Sequence, residues 1–249
     1  MLGNESIISN ICNKNEYMEA RLFTADMKLA EVIHIDYQLL LLLPRFGMNL
    51  GFGDKTVREW CDKSGVSCRL FLMICNVYNC GQYLPGEEEI EEIDVDQLIA
   101  YLKRSHLYYL DNRLAAIEQK LNDIGETCPV EHRQILNRFF EGYKNEVISH
   151  FEYEERTVFP YILDVTVGSR PKDYRIEVFK ENHSNIDDKL NDLKNIIMKY
   201  LQGSARGEEK INLLFDIFSL EEDLSKHSLI EDKILVPFVL KLEQRYDKE

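Results

Sequence analysis

Two stretches of the chain, EERTVFPYIL at residues 154–163 and EDKILVPFVL at residues 231–240, lie over one another at an offset of 77 residues, aligning Pro160 with Pro237. The same offset relates His106 to His183, His150 to His227 and Glu154 to Glu231, and His106–His150 and His183–His227 are both 44 residues apart. This is the pattern of a duplicated two-helix unit, with a histidine on its first helix and His-x-x-x-Glu on its second. An i,i+4 separation puts His150 and Glu154, and likewise His227 and Glu231, one turn apart on one helix face.

Each of these residues interrupts an apolar row with helical spacing. The first row is Leu102, His106, Leu110, Leu114, Ile117, Leu121 and Ile124; the second is Leu136, Phe140, Tyr143, Val147, His150, Glu154 and Val158. The third is Ile176, Phe179, His183, Ile186, Leu190, Leu193, Ile197 and Tyr200; the fourth is Leu213, Ile217, Leu220, Leu224, His227, Glu231 and Leu235. Recurrence every three or four residues places each row on one helix face. GETCP (125–129), VGSRP (167–171) and QGSARG (202–207) break the rows from one another. Four amphipathic helices with short connections predict an all-α antiparallel four-helix bundle.

An apolar row does not admit histidine and glutamate without compensation, because burying an unpaired polar or charged group costs several kcal/mol. Bound cations would supply that compensation. The simplest scheme gives two histidines from each hairpin to one ion, with Glu154 and Glu231 bridging the pair. The metal ligands are then His106, His150, Glu154, His183, His227 and Glu231. That set leaves room for an oxo or hydroxo bridge and an exchangeable position. Imidazole with bridging carboxylate suits two iron ions, with manganese second; a structural zinc would close a tetrahedral site instead.

The rest of the composition narrows the field. With 30 Lys+Arg against 44 Asp+Glu the formal charge is −14, which repels phosphate backbones and argues against a nucleic-acid partner. The longest apolar run, Leu39–Leu43, stops at Pro44, far short of the roughly 20 residues a membrane helix needs. The opening MLGNESIISNICNKNE has neither the basic nor the apolar region of a secretory signal. Six cysteines without a CxxC pair read as reduced thiols, so a cytoplasmic location is expected. GQYLPGEEEIEEIDVD (81–96) carries seven acids and no base, the composition of a solvated linker. The expected division is a small helical N-terminal domain at 1–85, an acidic linker at 86–96 and the bundle at 97–249.

The His…His-x-x-x-Glu…His…His-x-x-x-Glu pattern over roughly 97–245 resembles the hemerythrin-like di-iron fold. It most resembles the branch called repair of iron centres (RIC), di-iron proteins implicated in restoring iron–sulfur clusters after nitrosative or oxidative damage. Oxygen-carrying hemerythrins have a fifth histidine one turn after the third-helix ligand; here that position is Asp187, leaving four His and two Glu as in the repair branch. The N-terminal segment from ADMKLAEVIHIDYQLLLLLPRFG to DKSGV is similar to the small helical domain of RIC proteins. That domain carries a Cys-Cys pair, whereas here no cysteine lies between Cys12 and Cys61.

The resemblance implies a protein reacting with NO, O2 or peroxide-type oxidants and aiding cluster repair. A gas sensor or carrier signalling to a protein partner through the N-terminal domain is the alternative. A third reading is a DNA-binding regulator, because KTVREWCDKSGVSCRLFLMI (55–74) has a helix–turn–helix look, although its second helix starts with Arg69 as its one base. Cys61, Cys68 and Cys75 are expected as core thiols, and His34 and His132 as ordinary histidines. Tyr109, Phe151, Tyr153, Phe159 and Tyr161 neighbour the ligands in sequence; they are expected as core filling, with a tyrosine as a candidate for lining the gas pocket.

Overall fold

The computed structural model describes residues 22–169, 173–182, 187–201 and 207–246; at 182 and 187–189 it describes the backbone alone. Those residues form an all-α structure without a strand. The N-terminal part comprises α1 (Leu29–Ile35), a 3-10 turn (Tyr37–Leu41), α2 (Leu42–Arg45), α3 (Val57–Ser64) and α4 (Cys68–Asn79). Thr56 caps α3 in a reciprocal box with Glu59, and Gly65 ends it at φ 67°, a left-handed conformation that glycine adopts without a Cβ penalty.

The first bundle helix is α6 (Val95–Tyr108), continued through a π turn (Tyr109–Leu114) into α7 (Ala115–Glu126). The second is α8 (Val130–Tyr153), a π turn (Glu154–Val158) and α9 (Phe159–Thr166). The third is α10 (Ile176–Asn182) and α11 (Asp187–Lys199); the fourth is α12 (Gly207–Ile230), a π turn (Glu231–Leu235) and α13 (Val236–Tyr246). Helices α7 and α11 each pack against both α8 and α12, which closes the four into a ring.

The two π turns at 154–158 and 231–235 are related by the 77-residue offset, so the duplication is visible in the backbone. Their cause is local. Pro160 and Pro237 each lack the N–H for an i→i−4 bond and crowd the carbonyl four residues back, and a widened turn accommodates both defects. Widening also shifts side chains. In the π turn after His106, Tyr109 is fully buried with Leu114, whereas Leu110, expected in the row, is only partly buried. At the end of the third row Tyr200 is 67% exposed and Leu201 turns inward instead, because the helix stops at Lys199.

The acidic stretch is more ordered than a solvated tether. Within it Glu87–Glu91 form α5, Ile90 is buried, and α5 packs on α13 through Lys241–Glu87 and Arg245–Glu91 ion pairs. One apolar cluster runs from Phe23, Leu39, Leu42, Phe71 and Ile74 through Leu98, Ile99, Tyr101 and Leu102 to Phe159, Ile230 and Ile234. The N-terminal helices and the near half of the bundle therefore share a core. A second cluster, from Tyr109 and Leu114 to Phe151 and Leu224, fills the far half. Between the two clusters lies a layer of histidine and glutamate.

No helix among the described residues is long and apolar enough to cross a membrane. Helix α4, which a DNA-reading motif would place in a groove, is instead a core helix with residues 70, 71 and 73–78 buried. Its one early base, Arg69, is ion-paired with Glu92.

Candidate metal centre

Helix α6 brings in His106, the second bundle helix His150 and Glu154, and the fourth His227 and Glu231. Potential ligand atoms of His106, Glu154, His227 and Glu231 all lie within 4.8 Å of one another, and all four residues are buried. His150 joins through its own helix, its Nε2 standing 2.7 Å from Glu154 Oε1. His106 Nε2 stands 3.0 Å from Glu154 Oε2, so both imidazoles approach one carboxylate from opposite helices. On the fourth helix His227 Nε2 is 3.2 Å from Glu231 Oε1. Both glutamates occupy the first position of their π turns, where the helix is locally widened. His183 lies outside the described residues, as does the side chain of Asp187.

The approaches made by His106 and His227 lack hydrogen-bond geometry. His106 Nε2, both Glu154 oxygens and both His227 ring nitrogens are buried without a hydrogen-bond partner among the described residues. A buried carboxylate with no donor is costly, and the cost is removed when a cation sits between it and the imidazoles. The donor set, imidazole nitrogen with carboxylate oxygen, suits iron and manganese. On this ground the residues fit a metal.

Negative charge dominates the cluster. Burial disfavours the imidazolium form of His106, but Glu154, with Glu155 and Glu231 beyond it, outweighs burial and holds His106 above its ordinary pKa. Burial and the charge of Glu231 push Glu154 upward, yet contacts with His106 and His150 outweigh them and keep it below the ordinary carboxylate value.

One further residue, absent from the sequence reading, orients the set. Glu155 Oε1 accepts from His106 Nδ1 at 2.9 Å, which fixes the tautomer so that Nε2 faces the cluster. The signal was present: the 77-residue offset pairs Glu155 with Asp232, an acid following each ligand-type glutamate.

The walls are aromatic. Phe151 stacks on His106 with centroids 4.0 Å apart and planes within 9°, and Phe159 stacks on the same imidazole at 5.8 Å. Tyr109 meets His227 edge-on at 5.6 Å, but its hydroxyl donates to the Asp223 carbonyl at 3.1 Å and is engaged there. Tyr153 and Tyr161 are committed elsewhere, to Tyr174 and Glu243.

An all-α bundle with a buried, cation-fitted layer of histidine and carboxylate is the class these observations define. The sequence matches the hemerythrin HHE cation-binding domain family over residues 97–239, more than half of the chain, and the protein belongs to that family. No curated protein matches the chain.

Proposed function

We propose that this is a non-heme di-iron protein of the RIC type, whose reduced site reacts with NO, O2 or a peroxide-type oxidant in the service of iron–sulfur cluster repair. The observation that carries the reading is the buried His106–Glu154–His227–Glu231 cluster with His150 against it. His183, the counterpart of His106 under the duplication, completes the proposed ligand set. Bound iron would supply the electrons and the open coordination positions for a small oxidant. The chain's own residues do the rest. Glu154 and Glu231 would supply the carboxylate ligands, Glu155 holds the His106 proton on Nδ1, and Phe151 and Phe159 exclude water from one side of the layer. Aromatic walls without convergent polar groups admit a small neutral molecule and give a larger substrate nothing to orient it.

The shared core of the N-terminal helices and the bundle favours a second reading, a gas sensor that signals to a protein partner through the N-terminal part. Stopped-flow mixing of anaerobic, iron(II)-loaded protein with NO and with O2 tests both. Rapid oxidation or NO reduction supports repair, and a stable reversible adduct supports sensing. An unchanged spectrum with both gases, while iron stays bound, refutes reactivity of either kind.

A further inference from the structure

Arg45, at the end of α2, is 1% exposed and reaches out of the N-terminal part into the bundle. Its Nη1 donates to Tyr78 Oη at 2.9 Å, to Asp223 Oδ1 at 3.1 Å and to Tyr109 Oη at 3.3 Å, and its Nη2 pairs with Asp223 Oδ2. Tyr78 donates to the same carboxylate at 2.8 Å. The Arg45 carbonyl is in turn held by Arg104 Nη1 on α6 at 3.1 Å. Arg45 is thus tied by its backbone to the helix that carries His106 and by its side chain to the helix that carries His227.

Asp223 lies one turn before His227 on α12 and is 5% exposed. Tyr109, held at its hydroxyl by Arg45 and by the Asp223 carbonyl, sets its ring against His227 and against Phe151, which stacks on His106. The contacts from Arg45 to both imidazoles are continuous. A buried ion pair is weak evidence for stability, since apolar residues of similar volume serve as well or better. What a two-pronged guanidinium supplies that an apolar pair does not is a fixed orientation.

We infer that Arg45 is a positioning residue for the cation site, setting α12 and Tyr109 so that His227 and Glu231 face His106 and Glu154. Docking of residues 37–46 on the bundle and occupancy of the site are then thermodynamically linked, each favouring the other. The inference rests on the cation-site reading, and its test separates the two.

The experiment measures Co(II) binding by the metal-free full chain, together with the cobalt absorption bands, which report coordination geometry, and the thermal melt. Arg45→Met alone strands a buried carboxylate and risks misfolding, so the informative variant is Arg45→Met/Asp223→Leu, which removes both charges. It leaves the buried Tyr78 hydroxyl without those two partners and should melt somewhat below wild type, as Val57→Ala does, yet unlike that variant bind Co(II) at least tenfold more weakly, with shifted bands. Arg45→Lys keeps the charge but not the two-pronged grip; it should weaken binding to an intermediate degree, and it gives the answer if the double variant does not fold. Val57→Ala, a core truncation on α3, should lower the melting temperature and leave Co(II) affinity and bands unchanged. Wild-type affinity and bands in the double variant, or in Arg45→Lys should the double variant not fold, would overturn the positioning role. Failure of the wild-type chain itself to bind Co(II) would overturn the cation-site reading, and this inference with it.

Discussion

Replacing Glu155 with alanine separates a metal-orienting role from a structural one. The Glu155 carboxylate accepts from His106 Nδ1 at 2.9 Å, and its side chain is 41% exposed while His106 is 1% exposed. Partners of this kind are typically worth about 10- to 100-fold in metal affinity. Partial exposure screens the interaction and places it near the lower end, about tenfold, or about 1.4 kcal/mol. The fold should notice less. A part-exposed pair contributes about 0.2–1 kcal/mol, which in a chain of this size moves the melting temperature by no more than about 4 °C. The assay is chelator-competition titration of the metal-free full chain with iron(II) under anaerobic conditions, alongside a melt. Glu152→Ala is the control, because among the described residues Glu152 pairs with exposed Arg156, at 3.5 Å, and should leave affinity unchanged. Wild-type affinity in Glu155→Ala, or an equal loss in Glu152→Ala, would refute the argument; the second result would make the effect one of net charge.

Glu154→Ala should hold fewer than two metals per chain by elemental analysis, since that carboxylate is proposed to serve both ions; full metal content would falsify the bridge. Residues 97–249 expressed without the first 85 lose the apolar partners of Leu98, Ile99, Tyr101 and Leu102. Each such fully buried side chain is worth about 1.5–3 kcal/mol, so the metal-free fragment should melt far below the full chain, and an equal melting temperature would show two independent cores. Iodoacetamide should label Cys68 before Cys61 and Cys75. The Cys61 thiol donates toward Cys68 and holds it below the usual thiol value, and Cys68 is partly exposed. Cys75 is pushed up by burial, and Cys61 by its bond to Cys68 and by burial. Equal labelling rates would contradict that order.

The bundle and most of its polar layer were legible because burial in helices leaves a periodic trace. Leu102, Leu114, Val147, Leu213 and Ile217 are buried as the spacing requires. The 77-residue repeat identified His106, Glu154, His227 and Glu231, which meet in space. What the repeat could not show is the width of a turn. Pro160 and Pro237 were visible, but the π turns before them follow from crowding, and the exchange of Leu110 for Tyr109 in the core follows from a third such turn. Long-range pairings left no trace at all: nothing in LLLPRFG announces that Arg45 is buried against a residue 178 positions later. The acidic run misled in the other direction, since seven charges concealed that Ile90 and Val95 are buried.

The most direct test of the account is elemental analysis of the anaerobically prepared full chain, read together with its absorption spectrum. The chain should hold two irons, with histidine–carboxylate coordination and an absorption that changes on exposure to O2 or NO. A chain that takes up no metal, or a single zinc with a spectrum indifferent to both gases, would contradict it.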